Sequence, residues 1–208
     1  MKSIFFAIIA GIVFTLTSCG QADPNKNIDE GKVTGNTYTS QEINWTIEIP
    51  DGWTVRDKET TEIANSKGLK AIEQTIGGEV DYKGLKYLIA FQKNQFNIFQ
   101  ATSEPFELEY EGEWEENNAA LKSIVYATYE NKGIQVDSSA TTTETIDGLD
   151  FQVYSFKIYG PKGEVILEQI MYSRLINGFD FGVSINFNND KDRDELLKVF
   201  RNSKFKKD

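Results

Sequence analysis

"NGFDFGVSINF", Asn177 to Phe187, is the stretch whose reading decides the fold class. Phe179, Phe181, Val183, Ile185 and Phe187 occupy every second position, with Asp180, Gly182, Ser184 and Asn186 between them. A period of two puts the first set on one face of a strand and the second set on the other. Asn-Gly is a dipeptide favoured by two-residue hairpin turns, because both positions tolerate positive φ. A two-residue turn at Asn177-Gly178 then pairs Ile176 with Phe179, Tyr172 with Val183 and Ile170 with Ile185, apolar against apolar.

The same reading extends upstream. Asp147-Gly148 makes a second hairpin turn and Gly160-Pro161-Lys162-Gly163 a third. Four strands are predicted in succession, at 135–146, 149–159, 164–176 and 179–188, as an antiparallel meander. The first three carry apolar residues on both faces, which predicts a sheet covered at least partly on both sides. Downstream, "KDRDELLKVFRNSKF" reads as a helix with Leu196, Val199 and Phe200 inward. Asp192 and Glu195 have capping-box spacing, and Lys204, Lys206 and Lys207 suit the negative helix end.

Toward the N-terminus, "YTSQEI" and "NWTIEIP" predict a strand pair closed by a turn at Pro50-Asp51-Gly52-Trp53. Helices are predicted over 59–76, stopped by Gly77-Gly78, and from Trp114 to Asn131, stopped by Lys132-Gly133. "LKYLIAF" and "FNIFQA" read as further strands. The fold class expected is α+β: a central antiparallel β-sheet, its C-terminal part a four-strand meander, flanked by helices.

The N-terminus supplies an address. "IFFAIIAGIVFTL", Ile4 to Leu16, follows Lys2 and precedes small residues, the layout of a secretory signal. It is too short to cross a bilayer core of about 30 Å. Leu16-Thr17-Ser18-Cys19 resembles the bacterial lipobox, in which the cysteine is acylated and becomes the first residue of the mature chain. Cys19 is the only cysteine, so an internal disulfide is excluded, and a lipid anchor is the economical use of the thiol. Several acyl chains, palmitate among them, would make a stable membrane anchor facing an extracytoplasmic space of the cell envelope. Residues 1–18 are therefore expected as signal peptide, 19–36 as a flexible polar tether, and 37–208 as one domain.

The full chain has 208 residues and a net charge of −10. Loss of residues 1–18 removes Lys2 and makes the balance more acidic still. An acidic domain repels phosphate backbones, so nucleic acid is not expected as a partner. There is no histidine. With the single thiol committed to lipid, Cys/His and Ser/His/Asp nucleophilic sites fall away, as do nearly all zinc and haem sites. No cofactor and no metal site is expected.

Taken together, "IEIPDGWTV", the mid-chain helices, the meander ending in "GFDFGVSINFNN" and the closing "LLKVFRNSKFK" are similar to the PsbP-like lipoproteins. That group shares its fold with the photosystem subunit PsbP and the Ran-binding protein Mog. The resemblance covers residues 38–206 and implies an accessory or binding role in place of catalysis. Members bind very different partners, so the resemblance implies no particular partner.

Four features could carry chemistry. In "EPFELEYEGEWEE", Glu107, Glu109 and Glu111 alternate with Phe106, Leu108 and Tyr110, which reads as a strand with one acidic face. Such a face is a solvated, aggregation-resistant edge or, together with Trp114, a docking surface for a basic protein partner. Read as an acid–base pair, its carboxylates would make a hydrolase of envelope polysaccharide, but that chemistry needs one carboxyl held protonated by burial. Arg174 falls opposite Phe181 on the apolar face, where it would either lie along the ring or contact a ligand carboxylate. Trp45, Trp53 and Trp114 would serve a glycan site only if at least one is exposed. "NNDKDRDE", Asn188 to Glu195, lacks the glycine and glutamate that a calcium loop requires at its sixth and twelfth positions, and reads as a helix start.

Overall fold

The computed structural model describes residues 23–80 and 83–206. The expected signal peptide and Cys19 lie outside the described residues. After a 3-10 turn at Pro24–Asn27 come β1 (Lys32–Thr34), β2 (Thr37–Thr39), β3 (Trp45–Glu48) and β4 (Thr54–Val55). Then follow α1 (Lys58–Ile76), β5 (Lys86–Gln92), β6 (Ile98–Pro105) and α2 (Glu113–Asn131). The remainder is β7 (Val136–Ser138), β8 (Thr142–Ile146), β9 (Leu149–Tyr159), β10 (Val165–Ile176), β11 (Phe179–Phe187), α3 (Asp190–Asn202) and β12 (Lys204–Phe205).

The meander forms in the predicted register. Ile176 pairs with Phe179, Tyr172 with Val183 and Ile170 with Ile185. Asn177 takes a φ of 53° and Gly178 one of 79°, as an Asn-Gly hairpin turn demands. The first predicted strand is split: β7 pairs with the far half of β9 and β8 with the near half. Between them Ser139 hooks its hydroxyl onto the Ser155 N–H, a side-chain bond that competes with the regular ladder.

All pairing is antiparallel and falls into two sheets. The larger has the order β4-β5-β6-β11-β10-β9-β7, with β8 also on β9; the smaller has the order β1-β2-β3-β12. The main core lies between the sheets and includes Leu196 and Phe200 of α3. Its centre is Trp45, fully buried, with its ring 5.1 Å from Phe181, 5.8 Å from Tyr38 and 6.2 Å from Phe205. Burying one such aromatic removes about 150–250 Å² from water, stabilising the fold by about 4–6 kcal/mol before entropy is counted. The opposite face of the large sheet carries a second cluster, where Val125, Tyr126 and Tyr129 of α2 meet Val136, Tyr154, Phe156 and Ile158. α1 packs on α2. The sheet is thus covered on both faces, which is why Asp180, Gly182, Ser184 and Asn186 are half-buried instead of solvated.

Helix ends follow local chemistry. Asp57 caps α1 by accepting from the Thr60 N–H at 2.7 Å, and Gly77 ends it in the left-handed conformation. α2 has no side-chain cap, but Glu113, Glu115 and Glu116 load its first turn, where negative charge suits the helix dipole. α3 starts one turn earlier than the Asp192/Glu195 spacing predicts. Asn189 is the cap, taking the Asp192 N–H at 2.9 Å while its own amide reaches the Asp192 carboxylate. Lys204 does not serve the helix end either. It lies in β12 and pairs with Asp147.

The expected tether is the largest departure. From Asp23 onward the chain is part of the domain. Asn25 holds Val33 through both its amide oxygen and its amide nitrogen, and Asn27 accepts from the first N–H of α1, that of Lys58. Glu30 takes the Tyr38 and Ser40 hydroxyls and the Gln41 N–H. Polar side chains fix this segment by bonding to backbone and hydroxyl groups, so its polar composition does not mean it is unstructured.

Candidate functional site

The sequence-nominated residues gather at the end of the large sheet that carries the Asn177-Gly178 turn. There β6 and β11 pair as far as Phe179 opposite Pro105, and the Phe106 N–H closes the ladder on the Gly178 carbonyl at 2.8 Å. Beyond this point β11 has already turned away. The predicted strand through Glu107, Glu109 and Glu111 therefore has no partner to pair with and runs as a loop into α2. Leu108 and Tyr110 are about half exposed, at 51% and 52%, so no buried apolar face backs the acidic one. The loop is held at its start by the Phe106 bond to Gly178 and at its end by α2. The Glu109 N–H donates to the Glu113 carboxylate at 2.6 Å, and the Tyr110 hydroxyl to Glu116 at 3.1 Å. That bond and the charge of Glu116 raise the Tyr110 pKa.

Trp114 is buried instead of forming part of that surface. Its indole N–H donates to the Asp180 carboxylate at 2.9 Å. Burial raises the Asp180 pKa above the ordinary carboxylate value, with the Trp114 bond opposing it. Glu104 stands directly opposite Asp180 across the β6–β11 ladder. Both line a groove of about 210 Å³ between α2 and the sheet, with Thr102, Tyr154, Ser184 and Leu121. Tyr154 is pushed up to about 12 by burial and by the charge of Asp180. Asp180 and Glu104 are not among the residues that the sequence singles out, because neither belongs to a motif and their pairing across β6 and β11 is a matter of sheet order. Two-sided covering of the sheet was the available hint.

Arg174 pairs with Phe181 as predicted, on the main-core face. The β9–β10 ladder stops one residue earlier, at Ser173 opposite Gln152. Past that point the strands part, and an Arg174 N–H bridges the gap to the Asp150 carbonyl. Arg174 and Trp114 both line a depression of about 310 Å³ with Glu115, Asp150, Thr143 and Leu175. The structure thus brings Trp114 and Arg174 together, and joins the Glu107–Glu111 loop to them through the first turn of α2.

Trp45, Trp53 and Trp114 are all buried, so none offers the exposed platform that a tryptophan-based glycan site needs. Among the described residues no group of three or more acidic side chains is placed to hold a metal ion.

No family model matches the sequence, and no curated protein matches it. The architecture does have a solved counterpart. Cyanobacterial PsbP (CyanoP) from Synechocystis sp. PCC 6803 matches with a TM-score of 0.55, over 86% of this chain and 98% of that one. The fold is PsbP-like. Identity over the match is 9%, so the likeness shows the fold alone.

Proposed function

We propose that this chain is a non-catalytic accessory module of the bacterial cell envelope, held to a membrane by acyl chains on Cys19. Its docking segment is the loop bearing Glu107, Glu109 and Glu111, and its partner is a basic envelope protein. One observation carries the reading. The loop presents two half-exposed large apolar side chains, Leu108 and Tyr110, among three exposed glutamates, and is fixed at both ends. A pre-ordered loop loses little entropy on binding, and an apolar centre with a charged rim is a common interface composition. The lipobox-like Leu16-Thr17-Ser18-Cys19 supports the address. No helix among the described residues is long and apolar enough to cross a membrane.

Two measurements test the reading. After a high-salt wash of membranes, the wild type stays in the pellet and Cys19→Ser is released; a variant that still pellets removes the lipid anchor. For docking, crosslinked capture from the envelope fraction compares wild type with Glu107/Glu109/Glu111→Gln and with Leu108→Ala/Tyr110→Ala. One dominant partner, lost in both variants, is the expected result. A partner retained by both, or none from the wild type, defeats the docking role.

A second reading has its own observation. Asp180, raised by burial, faces Glu104 in a groove, which is the arrangement a carboxylate-dependent hydrolase of envelope polysaccharide would use. Asp180→Asn would abolish release of reducing ends from purified envelope glycan, and a wild type that releases none ends this alternative.

A further inference from the structure

Where β9 leaves β10, it opens a second pocket, on the other flank of Arg174. The β10–β11 ladder continues to Ile176 opposite Phe179, while β9 turns with β8 toward the C-terminal strand. Asp147, at that turn, ties it there, its carboxylate accepting from the Phe205 N–H at 2.9 Å and from Lys204 at 2.8 Å. The space left between the end of β10 and β12 is a pocket of about 230 Å³. Its floor is apolar, made by Ile43, Leu149, Ile176 and Phe205, and its polar lining includes Arg174 and Lys206.

The pocket is positively charged in an acidic chain. The chain carries 32 acidic and 22 basic residues, yet no acidic side chain lines the pocket. Arg174 and Lys206 form no ion pair among the described residues, a property they share with several surface lysines, but here the two converge on one apolar-floored pocket. Asp150 and Glu115 lie on the other flank of Arg174, in the neighbouring depression. Asn177, also at the pocket, spends its amide N–H on the Glu42 carbonyl at 3.2 Å. The bond from Arg174 to Asp150 holds the guanidinium in place, and no other hydrogen bond of its N–H groups occurs among the described residues. Arg174 is half-buried, and its guanidinium fork matches the two oxygens of a carboxylate or a phosphate; the apolar floor suits a carboxylate carried on an apolar body.

We propose that this pocket binds an organic carboxylate on a short apolar body, the carboxylate held by Arg174 and Lys206 and the body on Ile43, Leu149 and Phe205. A volume near 230 Å³ is about seven to eight water volumes. That admits a branched five- or six-atom chain or a single side chain, and is below the range of about 300–1,000 Å³ for drug-sized ligands. The same chemistry comes from two sources: a free short-chain acid, or the C-terminal carboxylate of a peptide whose last side chain is apolar. The site is separate from the acidic docking loop, so either can fail without the other.

The test uses the full lipidated chain in nanodiscs of zwitterionic lipid, with empty nanodiscs as blank, and isothermal titration of four probes. These are isocaproate, isocaproamide, a tetrapeptide ending in leucine with a free carboxylate, and the same peptide amidated. Saturable binding of an acid that its amide does not share is the expected result. Arg174→Gln weakens it about tenfold or more, because a hydrogen-bonded charge partner is lost. Lys206→Gln weakens it less and lowers its salt dependence. Tighter binding of the peptide identifies a chain terminus as the source; equal or tighter binding of isocaproate identifies a free acid. Arg174→Lys keeps the charge without the fork and binds with intermediate affinity. The comparison of acid with amide on the unmodified chain stands even where a variant folds poorly. Amides that bind as well as acids, no saturation by either acid at about 10 mM, or wild-type affinity in a folded Arg174→Gln each overturn the proposal.

Discussion

Replacing Trp114 by phenylalanine isolates the bond that joins α2 to the sheet at the candidate site. Trp114 is 6% exposed and its indole N–H is the donor to the Asp180 carboxylate, at 2.9 Å. Two losses follow, and they separate by pH. The smaller ring leaves a void costing about 1 kcal/mol, independent of pH. Loss of a hydrogen bond to a charged, half-buried acceptor adds about 1.5–3 kcal/mol. The sum, about 2.5–4 kcal/mol at neutral pH, would move a urea midpoint by roughly 1–2 M at the m-values typical of such domains. Asp180 has its pKa raised in the fold, so the folded state takes up the proton first and this group adds stability as pH falls through its folded pKa. Removing the indole donor, which favours the charged form, raises that pKa further. The deficit of Trp114→Phe therefore shrinks as pH is lowered and levels off near the packing loss alone. Urea unfolding at several pH values, with Asp180→Asn and the double variant completing a cycle, reads this directly. A deficit that is the same at all pH values, with no coupling in the cycle, would refute the reasoning.

Two further predictions concern the rest of the domain. Gly31 has a φ of 79°, and a Cβ there would lie 2.4 Å from the Thr39 carbonyl oxygen and 2.7 Å from the Tyr38 hydroxyl. Gly31→Ala should cost about 2–3 kcal/mol in thermal or urea unfolding, whereas in a free tether it would cost nothing. Burial alone would raise the Glu144 carboxyl, but its bonds with Arg201 and Tyr172 outweigh this and hold it below its ordinary value. That stabilisation is present above the unfolded pKa and is lost as pH falls through the folded one. Glu144→Gln should cost less than about 1 kcal/mol, since Arg201 is half exposed. It should also flatten the acid limb of the stability profile, and an unchanged limb would remove this pair from the account.

What could be read from sequence was what repeats or what turns. Period-two alternation in 179–187, together with Asn177-Gly178, fixed a register that pairs Tyr172 with Val183. Gly77 and Gly133 marked helix ends because few other residues take a left-handed φ cheaply. Three things stayed hidden. The alternation in 106–111 has strand period but no partner strand, and pairing is a property of the whole sheet. The fixing of 23–36 rests on Asn25, Asn27, Asp29 and Glu30 as acceptors, whose targets are backbone N–H groups from Val33 to Tyr87 that no local pattern picks out. The role of Asp180 stayed hidden because nothing local announces that α2 is the element covering its face or that Trp114 will reach it.

The N-terminal segment also guards an edge. β4 covers β5 only at Phe91 and Gln92. Along the rest of that edge the Asp29 N–H donates to the Tyr87 carbonyl while its carboxylate accepts from the Tyr87 N–H, and the Arg56 N–H donates to the Ala90 carbonyl. A chain trimmed to residue 37, where composition suggests the domain begins, would bare the Tyr87 pair. An open strand edge of that kind is a template for another copy's strand. The polar leader thus covers an edge that would otherwise be open to strand pairing, and proteolysis within it would bare that edge to another chain.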